Sequence, residues 1–432
     1  KIMIKFIHAA DIHLDSPLRG LAEKEQLPAK LIQGATRKAL SRLVSLAIEE
    51  KVDLVLLAGD LYDRNWDDSA TGFYFISEMK KLERCSIQVV MITGNHDALT
   101  IIKKPLPYPG NVKILSSKHA ESFTLKRDGK TLAVVHGQSF QDKAEKRNLV
   151  ANYPSPVDGT INIGILHTSL EGSKEHDTYA PVGIEELVSK GYDYWALGHI
   201  HKREIVREKP WIVYPGNIQG RNIRETGAKG CYLIQVDGRG AMKLDFRELD
   251  EFRWIALDIS LDSIEDHQGF EERISDAITE NGLSGCMVPT GIRITFRGQT
   301  QFHGHLAANE NWILDTTQAI LTNKGNDNLF IEKILVETRA PSKTVSHDCA
   351  IPEDALNIIH KIIESLRTNP DQLLELLKDS KLESLRKKIP GAWQDKSDAD
   401  SIRPMDADWL APLLDQVGPI IESLDRKARM ES

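Results

Sequence analysis

Short apolar runs recur through residues 1–250, separated by stretches with helical spacing. Ile4–His8, Val52–Ala58, Ile87–Thr93, Val112–Leu115, Leu132–His136, Ile161–His167 and Tyr192–Leu197 read as strands. Several are unbroken Val/Ile/Leu runs, the pattern of strands covered on both faces. Between the first two lies Ala35–Lys51, where Leu40, Leu43, Val44 and Ala47 fall at helical steps. Ser69–Arg84 has the same character. Such alternation predicts a layered α/β sandwich over residues 1–250.

From Phe252 the texture changes. Trp254–Ile259, Gly291–Phe296 and Ile331–Val336 read as strands and Ile264–Glu280 as a helix, which predicts a small α+β domain over residues 251–340. Arg339–Asp348 reads as a linker. Beyond it, Leu356, Ile359, Ile363 and Leu366 recur at steps of three, four and three, a heptad-like stripe. Asn369-Pro370 ends that helix; Leu373, Leu374, Leu377 and Leu382 begin another, and a last one carries Leu410, Leu413, Leu414, Val417, Ile420 and Leu424. Residues 341–432 therefore read as a linker and C-terminal helices, which either pack on the preceding domain or dock on a partner helix or coiled coil.

Composition narrows the class. The chain has 432 residues, 41% hydrophobic and 27% charged, an ordinary balance for a globular protein of two or three domains. No run approaches the ~18 apolar residues of a membrane span, so no membrane role is expected. Lys1–Ala10 is one short apolar stretch without a cleavage region, which sets an expectation of a cytoplasmic rather than exported protein. Cys85, Cys231, Cys286 and Cys349 are scattered without a CxxC pair, excluding a disulfide scaffold and a thiolate zinc site. A net charge of −8 excludes a protein that coats nucleic acid by bulk charge, so any such contact must come from a local basic surface.

Candidate ligands fall at strand ends. Asp11-Ile12-His13 follows the first strand; Asp60 closes the second in LLAGD, ahead of Leu61-Tyr62-Asp63; Gly94-Asn95-His96-Asp97 closes the third. His167 ends Ile161–His167, and Gly198-His199-Ile200-His201 follows Leu197. The carboxyl ends of strands are where α/β sheets carry their functional loops. Carboxylate, amide oxygen and neutral imidazole together suit hard or borderline divalent ions such as Mn²⁺, Mg²⁺ or Fe²⁺. One carboxylate can bridge two ions ~4 Å apart, and water between such ions ionises near neutral pH. In an extended chain the imidazoles of His199 and His201 would face the same way and serve neighbouring ions. Each motif alone could be a turn or a satisfied polar pair, but five in this order at strand ends are hard to reconcile with chance.

DxH, GDxxD, GNHD, an isolated strand-end His and GHxH together resemble the calcineurin-like metallophosphoesterases, over roughly residues 4–250. The resemblance implies a four-layer sandwich, two mixed β-sheets flanked by helices. It implies that Asp11, His13, Asp60 and His201 hold one ion and that Asp60, Asn95, His167 and His199 hold a second, with Asp60 bridging. It further implies that His96 stands near the scissile phosphate and that Asp97 orients it. His8–Leu18 (HAADIHLDSPL), Tyr214–Arg221 (YPGNIQGR) and Glu225–Gly230 (ETGAKG) are similar to the DNA-repair exonuclease branch, the SbcD-type nucleases, and within it to the YhaO-like bacterial subgroup. In that branch a capping domain follows the phosphoesterase domain, then helices that dock on the coiled-coil base of an SMC-like ABC ATPase (SbcC-type); a homodimer is also open. Manganese-dependent 3′-to-5′ exonuclease action on DNA, with single-strand endonuclease action beside it in double-strand break repair, is the activity this implies. One position departs: the archaeal and eukaryotic repair nucleases tend to carry His where Asp63 stands, so double-strand exonuclease activity does not follow automatically. Asp63 could equally cap the following turn.

Several basic residues stand where they could meet a phosphate backbone. Lys202 and Arg203 follow the last histidine motif, Arg221, Arg224 and Lys229 flank a glycine-rich loop, and Lys143, Lys146 and Arg147 lie in the insertion 140–156. His136, also at a strand end, could line the site or serve an ordinary loop. Aromatic residues are only 6% of the chain, which argues against a row of base-stacking platforms. Two other functions use the same residues: hydrolysis of small phosphoesters such as cyclic nucleotides, and a scaffold subunit with a vestigial metal site.

Overall fold

The computed structural model describes residues 2–18, 34–63, 70–98, 106–170 and 179–341, with positions 361 and 365. The C-terminal helices expected beyond residue 341, Cys349 and the expected ATPase-docking surface lie outside the described residues, Lys361 and Ser365 apart, which are helical. Two compact units are present. The first holds residues 1–256, 285–293 and 328–332; the second holds 257–284 and 294–327 and resumes at 333.

In chain order the elements begin β1 (Ile2–Ala9), α1 (Ala35–Glu49), β2 (Leu54–Ala58), α2 (Ala70–Arg84), β3 (Gln88–Ile92), β4 (Val112–Ile114), β5 (Glu121–Arg127) and β6 (Lys130–Gly137). They continue with β7 (Ile161–His167), α3 (Ile184–Ser189), β8 (Tyr194–Gly198), β9 (Glu204–Glu208), β10 (Trp211–Tyr214), β11 (Gly230–Asp237) and β12 (Met242–Glu248). Two six-stranded sheets result, β12-β11-β1-β2-β3-β4 and β5-β6-β7-β8-β10-β9. Each is mixed: β1 to β4 run parallel, as do β6, β7, β8 and β10, while β11, β12, β5 and β9 pair antiparallel at the flanks.

The alternation of side chains along a strand explains the layering. Ile4 and Phe6 of β1, Leu54, Leu56 and Ala58 of β2, and Val90 and Ile92 of β3 pack with Ile163 and Ile165 of β7 and Tyr194 and Ala196 of β8, forming the core between the sheets. The opposite parity, Ile7, Ala9, Val55, Leu57, Val89 and Met91, faces Leu40, Leu43, Val44 and Ala47 of α1 and Phe75, Met79 and Leu82 of α2. On the outer face of the second sheet, Leu166, Trp195, Leu197 and Ile212 pack with Phe140, Leu149, Tyr153 and Leu187. Every strand and both helices expected in residues 1–250 are present, with ends shifted by a few residues. The strands added are β5, β9, β10, β11 and β12. Three of them, β5, β9 and β12, are edge strands with mixed or exposed faces, which weakens the apolar signal.

The elements that follow are β13 (Arg253–Ser260), α4 (His267–Glu280), β14 (Thr290–Gln299), α5 (His303–Ala308), α6 (Glu310–Lys324) and β15 (Leu329–Arg339), with β13, β14 and β15 in a three-stranded sheet. Asp266 caps α4 by accepting from the Gly269 N–H (2.8 Å), the bond a β-region N-cap makes. Helices α5 and α6 add to the one helix expected here. Among the described residues no helix is long and apolar enough to cross a membrane.

Candidate metal centre

All the candidate ligands lie in the first unit, at the ends of β1, β2, β3, β7 and β8. The loop after β1 runs beside the loop after β2: Asp11 N–H donates to Gly59 O (3.1 Å), His13 N–H to Asp60 O (3.0 Å) and Leu14 N–H to Leu61 O (2.9 Å). Asp11, His13, Asp60 and His199 all have left-handed backbone, with φ of 50°, 44°, 51° and 99°. Such residues cost about 1–3 kcal/mol each and persist where the surroundings over-determine them, as these paired loops do. The motif glycines are needed for space. A Cβ on Gly94 would overlap Asp60 Oδ1 and the His167 ring, and one on Gly198 would overlap the Ala58 carbonyl oxygen.

Three imidazoles converge on the carboxylates. His13 Nε2 and His201 Nε2 are 3.2 Å apart, and His201 Nε2 is 3.8 Å from Asp11 Oδ1. His167 Nε2 is 3.0 Å from Asn95 Oδ1 and 3.5 Å from Asp60 Oδ2, and the same Asp60 Oδ2 is 3.9 Å from His13 Nε2. Asp60 Oδ1 is occupied, accepting from His96 N–H at 2.9 Å. His199 N–H donates to both oxygens of Asp11, and its ring meets that of His167 edge-on with centroids 5.3 Å apart. Asp11, His13 and His201, and likewise Asp11, Asp60 and His167, bring ligand atoms within 4.8 Å of one another.

These contacts fit divalent cations. A carbonyl only accepts, so His167 Nδ1 must donate to Ala58 O (2.9 Å), which leaves the Nε2 lone pair of the neutral ring facing two oxygens. His201 repeats the arrangement: its Nδ1 donates to Glu225 Oε1 (2.8 Å), turning the Nε2 lone pair toward His13. A cation between such acceptors resolves the conflict, and imidazole, carboxylate and amide oxygen suit borderline or hard divalent ions. His13 Nδ1, fully buried, makes no hydrogen bond. Without metal a proton takes the cation's place: burial opposes it, but Asp60 and Asp11 prevail and push His167 up to about 9. Burial raises Asp11, whereas Asp60, despite its burial, is held far below the usual carboxylate range by His167, His13 and His96.

The structure corrects one expected role. Asp97 does not orient His96: its oxygens accept the N–H groups of Gly94 (2.7 Å) and Leu61 (2.8 Å), clamping the β3 loop to the β2 loop. Burial and the Asp60 charge push its carboxyl up to about 7. Asp63 takes the expected role instead, with Oδ1 2.7 Å from His96 Nδ1 and Oδ2 accepting from Ser16 Oγ (2.9 Å). It is no mere turn cap. Its pairing with His96 holds its carboxyl well below the usual range.

The basic residues separate into two groups. Arg221, 16% exposed, pairs with Glu225 (3.0 Å) and stands 3.8 Å from Asp63, beside the centre. Lys229 is buried and donates to His201 O (2.9 Å), so it braces the site rather than meeting a ligand. Lys202, Arg203 and Arg224 are exposed, Arg203 lying over the Phe246 ring at 3.9 Å. Lys143 and Lys146 are exposed, and Arg147 pairs with Glu145. His136 lies outside the centre: it is bonded to Ser122 Oγ (2.8 Å) and Asn162 Oδ1 (3.2 Å) and stacked on Tyr192. Glu225 is the residue sequence reasoning missed as a site member. It accepts from His201, Arg221 and Asn217 (2.8 Å) and is held well below the usual range against its own burial, chiefly by His201 and Arg221.

Two mixed sheets carrying Asp, His and Asn at five strand ends define a metallophosphoesterase. Residues 4–203 match the calcineurin-like phosphoesterase family, and residues 254–339 match the middle domain of metallophosphoesterase YhaO. The chain belongs to the calcineurin-like metallophosphoesterases, a family of metal-dependent phosphoester hydrolases. It is 35% identical over 296 residues to the metallophosphoesterase YhaO of Bacillus subtilis, covering 68% of this chain and 72% of that protein. It is 25% identical over 280 residues to the DNA double-strand break repair protein Mre11 of Methanopyrus kandleri, covering 59% of each. The Mre11 of Sulfurisphaera tokodaii is 26% identical over 247 residues, covering 56% of this chain and 59% of its own length.

Proposed function

We propose that this chain is a phosphodiesterase that cleaves DNA, with two divalent ions held around Asp60. The observation that carries the proposal is Asp60 Oδ2, which faces the imidazoles of both ligand sets, His13 at 3.9 Å and His167 at 3.5 Å. Asp11, His13, Asp60 and His201 would hold one ion and Asp60, Asn95, His167 and His199 the other, Mn²⁺ first, with Mg²⁺ or Fe²⁺ as alternatives. When bound, the ions would lower the pKa of water in the site and offset charge on the phosphate oxygens. The protein's own groups do the rest. His96, anchored through Nδ1 by Asp63, is free to aim its other face at a leaving oxygen as a proton donor. Arg221, on the rim beside Asp63, can meet a phosphate oxygen with a charge-assisted bond. Lys202, Arg203 and Arg224 would carry the strand that leads away.

DNA as substrate is supported by the two relatives named for DNA double-strand break repair. The 3′-to-5′ direction, single-strand endonuclease action and docking of the tail on an SMC-like ABC ATPase rest on the family resemblance. The test is digestion of 5′-end-labelled single- and double-stranded DNA with Mn²⁺. A ladder shortening from the 3′ end is expected. Intact DNA beside rapid hydrolysis of bis-p-nitrophenyl phosphate would replace DNA with a small diester.

A further inference from the structure

A second pair of imidazoles, in the other unit, repeats the geometry of the first. His267 opens α4 and His305 lies on α5, and their Nε2 atoms are 3.2 Å apart with ring centroids at 4.4 Å and planes at 72°. In the metal centre His13 and His201 show the same 3.2 Å between Nε2 atoms, with centroids at 5.0 Å and planes at 75°. Two nitrogens bound at 2.0–2.1 Å to one tetrahedral ion lie ~3.3 Å apart, close to both values.

The pair is held rather than loose. His305 stacks on Phe302 (centroids 4.7 Å, planes at 14°), and Trp312 meets His267 and His305 edge-on at 4.8 and 4.9 Å. Phe302 is buried, so the packing that sets the rings is part of this unit's core. His267 remains exposed, leaving the pair open to solvent. Burial and the neighbouring His267 both lower His305, which favours the neutral, ligating form. Among the described residues no third His, Cys, Asp or Glu completes this pair as carboxylates do in the first unit.

We propose that His267 and His305 form a second metal site, independent of the phosphoesterase centre, that takes a borderline transition-metal ion such as Zn²⁺, Ni²⁺ or Cu²⁺. Two imidazoles without a carboxylate select such ions over Mn²⁺ and Mg²⁺, which prefer oxygen. The remaining coordination positions face solvent and stay with water.

The test counts ions. Full-length protein stripped with a chelator is dialysed against Zn²⁺, and bound zinc is measured by mass spectrometry for the parent, His267→Ala and His305→Ala. Each variant is expected to hold one ion fewer than the parent, and His267→Ala, whose side chain is exposed, to do so at an unchanged thermal midpoint. His119→Ala, which removes an exposed imidazole elsewhere, is expected to keep the parent count. An equal count in the parent and His267→Ala would overturn the proposal and leave the pair as an N–H···N hydrogen bond. Should His305→Ala fail to fold, His267→Ala alone decides, since its side chain is exposed. The difference is read whether or not the first centre acts on DNA.

Discussion

Asp63 joins three parts of the chain: it accepts from Ser16, meets His96 Nδ1 at 2.7 Å and stands 3.8 Å from Arg221. A proton donor positioned by such a partner contributes roughly 10²–10⁴-fold to a rate. Asp63→Ala is therefore expected to lower turnover of a phosphodiester by about 10²-fold while bound metal, counted in the same preparation, stays at the parent value. Loss of metal in step with activity would make Asp63 a ligand instead. Glu225 acts through His201, whose Nδ1 it accepts from. Partners of ligating histidines are typically worth about 10–100-fold in metal affinity, so Glu225→Ala should weaken Mn²⁺ binding by that factor in calorimetric titration. Glu225→Gln, which keeps an acceptor for His201 Nδ1, should recover most of it. The seven candidate ligands were legible because each ends or follows a strand, all but His167 within a short motif of glycine, histidine or acidic residues. The pairing of Asp63 with His96 and of Glu225 with His201 was not, for a physical reason. The His96 partner comes from 33 residues away and the His201 partner from 24, while Asp97, adjacent in sequence, accepts from the Gly94 and Leu61 N–H groups instead.

At the scale of elements, β8 approaches β2 so closely at its end that Gly198 has no room for a side chain. Gly198→Ala must push the Ala58 carbonyl or the His167 ring aside, and overpacking of this kind costs ~1–3 kcal/mol. A lower urea midpoint together with weaker metal binding is expected; a midpoint at the parent value would show that β2 yields freely. His8 ties β1 to the second sheet, meeting Tyr194 OH (3.0 Å) and Leu197 O (3.1 Å). Burial pushes it down to about 3. The folded chain thus keeps His8 neutral while the unfolded chain takes up its proton below about 6.5. Its contribution is fully present above that value and is lost as pH falls toward 3, at up to about 1.4 kcal/mol per pH unit. Urea unfolding between pH 7 and 5 should show a shallower loss in His8→Leu than in the parent. Strands buried at every position, such as β2 and β7, could be read directly because their runs are apolar, Asn162 and His167 of β7 apart. Edge strands could not: β9 is Glu-Ile-Val-Arg-Glu with no buried position, and only its pairing with β10 makes it a strand.

Across the whole molecule, a net charge of −8 must coexist with the polyanionic substrate proposed above. If Lys202, Arg203, Arg221 and Arg224 supply the phosphate contacts, four neutralised phosphates give a log–log salt slope of about −3.6 on duplex DNA. Anisotropy titrations with Ca²⁺ in place of Mn²⁺ would measure it, and a slope near zero would remove these residues from the interface. The sequence texture changes at Phe252, and the second family match begins at residue 254. The parts of the second unit that patterning did not reveal, α5 and α6, bury few apolar positions, Leu306 in one and Ile313 and Leu321 in the other.

The central claim is metal-dependent phosphoester hydrolysis at a centre built on Asp60. Turnover of bis-p-nitrophenyl phosphate, followed as Mn²⁺ is added to chelator-stripped parent protein and to Asp60→Asn, tests it most directly. Activity absent without metal, rising with Mn²⁺ in the parent and at least 10²-fold lower in Asp60→Asn at every concentration, is the expected result. Hydrolysis that persists without metal, or that survives the loss of the Asp60 charge, would contradict it.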